Sequence, residues 1–410
     1  MKLLPTLALA AALCPAFTVS GGTRSASGEE VPSPVLAAAE QRVTGENIPA
    51  PLRPHFVRLY SEGPQNAVLH NMRGGLAAFR ARHFELAKKC LDDAIAGMEN
   101  LIAGGKRAED AKSDFVEERR KWFKGENYEQ SALYFYRGLL YLRDGDFGNA
   151  AACFKRCEIM DITGDDARDF AGDWYAGELA LALASRLNGY AADSDAALRR
   201  AAGFSFAQFV QVPPPTATTN TLLVVETGSG PEKYGDGQYN EKLKYRVKRP
   251  FTVSVNANGV STSAAEDLFF QATTRGTRQV DYILNSKAEL KEDLGKAGVG
   301  LAAAAFTAAA IAARVDGGTT ALAVGGGLAV ASVGTMIVSS LTTPQADTRA
   351  WHNLPRSIFL LHLETPAGTD NITVSGLTPD GKTTYTKSVP LHTVSGAGTN
   401  FKIGFAKFDH

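Results

Sequence analysis

The sequence has 410 residues, 44% of them hydrophobic and 21% charged, a composition that predicts a folded protein of about two to three domains. Its 43 basic and 43 acidic side chains give a formal net charge of zero, so a surface that binds nucleic acid is not expected. Four cysteines are too few for a disulfide scaffold, and they lack the spacing of a zinc site.

The N-terminus has the pattern of a secretory signal peptide. A lysine follows the first methionine, and an apolar run over residues 3–13 leads into small polar residues. We expect residues 1–20 to be removed on export, which predicts a periplasmic protein or one associated with the envelope membrane. A lipid anchor at Cys14 is disfavoured, because leucine precedes it where a lipoprotein signal has a small residue. Residues 21–60 are rich in Ser, Gly, Glu, Ala and Pro and are predicted to form a linker.

Residues 61–211 are predicted to be helical and contain an internal repeat. Gly75 in a first unit aligns with Gly138 in a second. The aligned pairs that follow are Ala87 with Ala150, Leu91 with Phe154, and Ala94 with Cys157. A third, more degenerate unit extends over residues 173–201. A repeat of this length predicts stacked helical units that bury a continuous core together.

These units resemble the tetratricopeptide repeat. In that family a small residue lets the first helix of a unit approach the second, and a Gly-Asp-aromatic turn joins the two helices. Residues 145–147 match that turn, whereas the first unit has His83 and Phe84 at the corresponding place. The resemblance implies that the N-terminal half is a short α-solenoid.

The concave face of such a solenoid commonly receives a peptide or a protein segment. The residues expected to line this face, and hence to bind a partner, are Met72, Leu76, Phe79, Arg80, Phe135, Leu139, Leu142 and Arg143. The Lys and Asn pattern with which some family members hold a peptide carboxylate is not matched. The alternative is that other parts of the chain cover this face, since apolar patches of this size seldom stay exposed.

The C-terminal half is predicted to be a β domain over residues 221–410. Residues 212–220 include three consecutive prolines and form the predicted connector between the two halves. Apolar runs at 221–227 and 357–363 predict buried strands, and shorter alternating runs predict others. We expect one antiparallel sheet or a small sandwich, with residues 281–345 inserted between its strands. The fold class predicted for the whole chain is therefore α+β.

The insertion is poor in charge and rich in Gly and Ala. No charged residue lies between Lys296 and Arg314, and none lies between Asp316 and Asp347. Small residues recur every four positions in both stretches, a spacing that lets two helices pack closely. The pattern predicts a helical hairpin, and residues 297–341 either contact a membrane, take part in a homo-oligomer, or pack inside the protein.

Charged residues lie on both sides of this insertion. The residues that could form a polar site for an anion are Arg275, Arg278, Asp281, Asp347 and Arg349, with Trp351 beside them. The pattern Asp-Thr-Arg-x-Trp at 347–351, followed by Leu354 and Pro355, resembles an uncharacterised family of bacterial cell-envelope proteins. That family joins a tetratricopeptide-like half to a C-terminal domain, so the resemblance implies export and the same architecture. We expect the charged residues to form ion pairs that hold the ends of the hairpin to the sheet.

No catalytic signature is present in the sequence. The seven histidines are scattered, and neither a metal motif nor a nucleophile elbow occurs, so no cofactor and no enzymatic activity are predicted. The sequence predicts a non-catalytic exported scaffold that binds a protein partner or peptide through its helical half. The alternative function is a module that binds an anionic small ligand or the cell wall, or an unrecognised enzyme, through the Arg/Asp cluster.

Overall fold

The computed structural model describes residues 24–104, 121–162, 172–204, 212–238, 240–246, 254–274, 346–377, 383–396 and 399–408. Within these residues the protein is α+β, with nine α-helices and an eight-stranded sheet. The predicted signal peptide, the insertion at 281–345, and Arg275, Arg278 and Asp281 lie outside the described residues. None of the described helices combines the length and the apolar character that crossing a membrane requires.

Eight of the described helices precede the sheet in the chain. They are α1 (Ser33–Gly45), α2 (Arg53–Ser61), α3 (Ala67–Arg80), α4 (Phe84–Ile102), α5 (Asn127–Asp144), α6 (Phe147–Ile162), α7 (Tyr175–Leu187) and α8 (Ala191–Ala202). The short helix α9 (Leu268–Thr273) follows later, among the strands. Residues 212–220 form neither helix nor strand.

The region predicted to be a linker, residues 21–60, contains helices α1 and α2. Apolar side chains spaced about one turn apart in α1, including Ala39 and Val43, are buried. Phe56 of α2 is buried as well. The composition typical of a linker is confined to the residues before α1, and beyond them the spacing of apolar residues specifies helix.

The helices from α3 to α8 form three hairpins: α3–α4, α5–α6 and α7–α8. The aligned glycines lie where the two helices of a hairpin approach each other. A Cβ atom on Gly75 would lie 2.7 Å from the side chain of Leu91, and one on Gly138 would lie 2.6 Å from that of Phe154. A larger residue at either position would force the facing side chain or the helices to shift.

The C-terminal half is built around a single sheet. The strands are β1 (Thr221–Thr227), β2 (Glu232–Asp236), β3 (Lys242–Arg246), β4 (Ser254–Ala257), β5 (Val260–Ser263), β6 (Glu266–Asp267), β7 (Ser357–Leu363), β8 (Asn371–Leu377), β9 (Thr383–Gly396) and β10 (Thr399–Phe408). Their order in the sheet is β5-β4-β8-β9-β10-β1-β7-β6, and β2 and β3 form a separate two-stranded ribbon.

The sequence analysis predicted a wholly antiparallel sheet, but the sheet is mixed. The neighbours β1 and β10 are parallel, with Thr221 opposite Lys402 and Thr227 opposite Phe408. The first and the last strand of the C-terminal half therefore lie side by side. The apolar pattern of a strand reports which of its faces are buried, but it does not report which strand lies beside it.

The central strand β1 is buried on both faces. Leu222 and Val224 belong to a large core that also contains the helices, whereas Leu223 and Val225 belong to a second core on the opposite face. This arrangement explains the continuous apolar run, because successive side chains of a strand point to opposite faces. The sheet curls around the second core, since β5 continues through Ala265 into β6, which pairs with β7.

Candidate functional site

The apolar residues predicted to bind a partner on a concave face are buried inside the protein. Met72, Leu76, Phe79, Phe135, Leu139 and Leu142 are all no more than 3% exposed. They belong to the same core as residues of the sheet, and the ring centroid of Phe79 lies 4.7 Å from that of Phe405 in β10. At Phe79 the predicted face is therefore covered by a residue of the protein's own C-terminal half.

The two arginines of the predicted face have different surroundings. The Arg80 Nε atom donates to Glu226 Oε2 at 2.6 Å, and another nitrogen of its guanidinium donates to the carbonyl of Asn353. Arg143 stays half-buried at the surface, with its guanidinium 4.0 Å from the ring centroid of Phe84. Arg80 thus joins the helical half to the sheet, whereas the ring contact of Arg143 lies within the helical half.

Glu226 of β1 also receives a hydrogen bond from a tyrosine. The Tyr136 hydroxyl of α5 donates to Glu226 Oε1, and both side chains are buried. Burial raises the pKa of the Tyr136 hydroxyl well above its usual range, and the charge of Glu226 raises it further. The hydroxyl therefore stays protonated and remains a donor to the carboxylate.

Residues 346–356, which we name the junction segment, connect the predicted insertion to β7. The backbone N–H of Trp351 donates to Glu129 Oε1 at 2.6 Å, and the indole is buried. The carbonyl of Ala350 accepts a hydrogen bond from Arg73 Nε at 3.2 Å. Burial lowers the pKa of Arg73 to about 10, so its guanidinium stays charged at neutral pH. The junction segment is thereby held along the surface of α3 and α5.

Arg349 lies at the centre of the described part of the Arg/Asp cluster. Its Nε and Nη2 atoms donate to the two carboxylate oxygens of Asp347 at 2.9 and 2.8 Å. Its Nη1 atom donates to Asn66 Oδ1 at 3.0 Å, and Nη2 also donates to the carbonyl of Lys121 at 2.8 Å. The guanidinium lies 5.5 Å from the ring centroid of Phe123. These contacts hold the junction segment to the helical half, where the sequence predicted ion pairs with the sheet.

Glu129 is a polar centre that the sequence analysis did not identify. Its side chain is fully buried and accepts hydrogen bonds from Lys233 Nζ at 2.7 Å and from the Trp351 backbone. It also closes the capping box at the start of α5, where it accepts the Glu126 N–H at 2.8 Å. The capping-box spacing was a signal for the last contact. No local pattern could have predicted the other two, because their donors lie 104 and 222 positions away.

A second buried polar cluster lies between the ends of α6 and α7 and the strand β6. Its carboxyl groups belong to Glu158, Asp161, Asp173, Glu178 and Glu266. Burial raises the pKa of Glu158 to about 10, and it raises the pKa of Glu266 well above its usual range. Among the described residues, no set of three His, Cys, Asp or Glu side chains is arranged to hold a metal ion. The cluster is therefore a set of carboxyl groups that are partly protonated at neutral pH.

The residue Gln271 of α9 connects this cluster to the C-terminal half. Its Nε2 atom donates to Glu266 Oε1 at 2.9 Å and to Asp173 Oδ1 at 3.1 Å. The carboxylate of Glu178 is held separately by Arg200, whose Nε and Nη2 atoms donate to it at 2.6 and 2.8 Å. Helix α9, which ends just before the predicted insertion, is thus fixed to the helical half in the same way as the junction segment.

The described thiols are not activated nucleophiles. Burial raises the pKa of both Cys90 and Cys153 to about 12, and it raises that of the fully buried Cys157 well above the usual range. A thiol reacts as its thiolate, so these three groups are unreactive at neutral pH.

The chain matches no family model, no curated protein and no solved structure. A function for this protein is therefore inferred from its own residues and their geometry.

Proposed function

We propose that the protein is a non-catalytic, exported scaffold of the cell envelope, and that it presents the Gly/Ala-rich segment 297–341 to a membrane. The observation that carries this proposal is that the described residues before and after the insertion are fixed to the helical half by buried polar contacts. Gln271 holds the chain before the insertion, and Arg349 holds the chain after it. The chain that leads into the segment and the chain that leaves it are thus both attached to the helical half.

In this proposal the helical half is the part of the protein to which the C-terminal sheet and the presented segment are attached. Its three hairpins, two of which have a glycine where the paired helices meet, support the assignment of tetratricopeptide-like repeats. In that family the concave face holds a peptide or protein segment; here we propose that the corresponding residues hold the protein's own C-terminal sheet. The contact between Phe79 and Phe405 and the ion pair between Arg80 and Glu226 support this role. A separate protein partner would then bind elsewhere, at 297–341 or at the outer helix surfaces.

The composition of the presented segment favours an apolar partner. Residues 297–313 carry no charge, and as a helix they would be about 25 Å long, close to the thickness of a bilayer's hydrocarbon core. Gly and Ala recurring every four residues let two such helices pack against each other. A hairpin of this kind can insert into one side of a membrane while the folded base stays in water.

Flotation with lipid vesicles tests the proposal. The mature full-length protein is mixed with vesicles of phosphatidylethanolamine and phosphatidylglycerol and centrifuged through a density gradient. We expect the wild type to float with the lipid and the variant Ala304→Asp/Ala308→Asp to stay at the bottom, because two carboxylates within the segment oppose insertion. The control Ala38→Asp, at an exposed position of α1, should float like the wild type.

Two results would contradict membrane docking. One is a wild-type protein that stays at the bottom of the gradient, and the other is a double-Asp variant that floats as well as the wild type. Carbonate extraction of cells gives an independent readout, since a docked protein resists extraction more than its double-Asp variant. Circular dichroism of both variants checks that each is folded.

The alternative function at the Arg/Asp cluster receives no support from the described residues. Arg349 is already bonded to Asp347, Asn66 and the Lys121 carbonyl, and it is only 4% exposed. An anion could reach the guanidinium only by displacing those acceptors. We therefore assign Asp347, Arg349 and Trp351 to holding the junction segment in place.

A further inference from the structure

A cleft opens in the sheet where β9 and β10 separate. The two strands pair from Gly396 opposite Thr399 to Leu391 opposite Gly404. Beyond that point β9 pairs only with β8 and β10 pairs only with β1. The next residue of β9, Pro390, has no N–H with which to continue the ladder. The cleft has a volume of about 120 Å³ and lies between the two strands and the turn that joins α3 to α4.

The base of the cleft is aromatic. The half-buried Phe405 lines it, with the ring centroids of Phe79 and Phe84 at 4.7 Å and 6.4 Å from its own. Pro390 adds a further apolar surface. The guanidinium of Arg143 lies over the ring of Phe84, 4.0 Å from the ring centroid. A flat, apolar part of a ligand would bury aromatic surface here.

The rim of the cleft is cationic. Its lining includes Arg80, Arg82, Lys387 and Lys407, and among the lining residues that the structure describes the single carboxylate belongs to Glu226. That carboxylate is already neutralised by Arg80 and hydrogen-bonded by a tyrosine hydroxyl. Helix α4 also begins at the cleft, so the positive end of its dipole adds to the potential. A negatively charged group is the complement of this rim.

Arg82 holds a backbone conformation that favours glycine. Its φ is 63°, and it stands two residues before the second helix of its hairpin. The residues at the same place in the other two hairpins are Gly145, with φ 79°, and Gly189, with φ 83°. An arginine in this region carries steric strain that glycine avoids. Its side chain makes no hydrogen bond or ion pair with the described residues, so no polar contact within that part of the chain accounts for the strain.

We infer that this cleft binds a small organic anion, whose charged group lies between Arg82 and Lys407 and whose apolar part lies on Phe405. The strained arginine is then a binding residue, kept at a position where glycine would stabilise the fold. This inference is independent of membrane docking, because no residue of the cleft belongs to the insertion. Carboxylates and phosphates share the required charge, and the experiment separates them.

Ligand-observed NMR on the mature full-length protein tests the inference with phenylacetate as the probe. We expect phenylacetate to bind and 2-phenylethanol, which has the same ring without the charge, to bind at least about tenfold more weakly. Phenyl phosphate is the second anionic probe. Whichever of the two anions binds more tightly identifies the preferred charged group, and either order supports the inference.

The variant Arg82→Gly separates binding from folding. Because glycine relieves the backbone strain, the variant should melt at a temperature equal to or above that of the wild type, yet bind phenylacetate at least about fivefold more weakly. Lys89→Gln, which removes an exposed cation of α4 away from the cleft, should leave the affinity unchanged. The inference is overturned if the wild type binds neither phenylacetate nor phenyl phosphate at millimolar concentration. It is equally overturned if 2-phenylethanol binds as well as phenylacetate, or if Arg82→Gly keeps the wild-type affinity.

Discussion

Glu129 accepts the backbone N–H of Trp351 at 2.6 Å, although 222 positions separate the two residues. The same carboxylate accepts a hydrogen bond from Lys233 at 2.7 Å, and the ammonium group of that lysine is buried with it. One side chain of α5 therefore joins three parts of the protein: the helical half, the β2–β3 ribbon and the junction segment. Glu129 is therefore one of the buried polar groups, with Glu226 and Arg349, that join the two halves.

Removing that charge should destabilise the protein strongly. In Glu129→Ala the ammonium of Lys233 and the N–H of Trp351 lose their main acceptor while remaining buried. We expect a loss of about 3–5 kcal/mol in the free energy of unfolding, measured by urea denaturation. Glu126→Ala is the control, since its carboxylate lies 3.6 Å from the same lysine and is partly exposed, and it should cost less. Equal losses in the two variants would contradict the central role of Glu129.

The closest approach of paired helices should be sensitive to a single methyl group. In Gly138→Ala the new Cβ would lie 2.6 Å from Phe154, so α5 and α6 must shift or the ring must move. We expect a loss of about 1–3 kcal/mol in stability, measured by thermal or urea unfolding. Gly45→Ala at the end of α1 has no atom within 4 Å of its new Cβ and should be neutral or slightly stabilising. If both variants lose the same stability, packing at the hairpin is not the cause.

The stability of the protein should depend on pH through Glu158. Burial raises the folded-state pKa of this carboxyl to about 10, above that of the unfolded chain. The folded protein therefore holds this proton more tightly than the unfolded chain does. The stability that the protonated Glu158 contributes is complete below the unfolded-state pKa, and it declines as the pH rises towards 10. The side chain in Glu158→Gln stays neutral at every pH. The free energy of unfolding of this variant should therefore exceed that of the wild type by an amount that grows with pH and reaches about 2 kcal/mol or more at pH 8.

Urea denaturation of both proteins across pH 5 to about 9 measures this difference. Glu85→Gln is a suitable control, because that side chain is 88% exposed and its carboxylate stays in water when the protein folds. Its pH profile should run parallel to that of the wild type. A constant difference between Glu158→Gln and the wild type would show that the carboxyl ionises normally in the folded protein.

The thiols should report unfolding. Burial raises the pKa of Cys90 and Cys153 to about 12, so the native protein holds almost no thiolate at pH 8. We expect reaction with an aromatic disulfide reagent to be at least about 100-fold slower in the native state than in urea. Fast labelling of Cys153 in the native protein would mean that the α5–α6 hairpin opens more readily than its burial suggests.

Several elements of the fold could be predicted from the sequence because their signals are local. The runs at 221–227 and 357–363 are the strands β1 and β7, and their unbroken apolar character fits strands buried on both faces. The aligned Gly75 and Gly138 lie where paired helices touch. In each case a few neighbouring residues determine the conformation or the burial of their own segment.

The candidate sites were less predictable than the elements that carry them. The apolar pattern on α3 and α5 predicts a face that another surface covers, but it cannot state whether a partner or the protein's own sheet supplies that surface. The cationic cleft combines Arg82 with Lys387 and Lys407, which lie more than three hundred positions after Arg82 in the sequence. Its one local signal is an arginine where the other hairpins have glycine at the same turn.

The sequence by itself thus determined the α+β class, the helical hairpins and the charge-poor segment after Lys296, since each depends on spacing and composition within a short stretch. Only the tertiary structure decided that Phe405 covers Phe79, that β10 lies parallel to β1, and that Arg349 is held by Asn66 rather than by the sheet. The physical reason is that burial and hydrogen bonding require a partner surface. Which distant segment supplies that surface is settled by the packing of the whole chain.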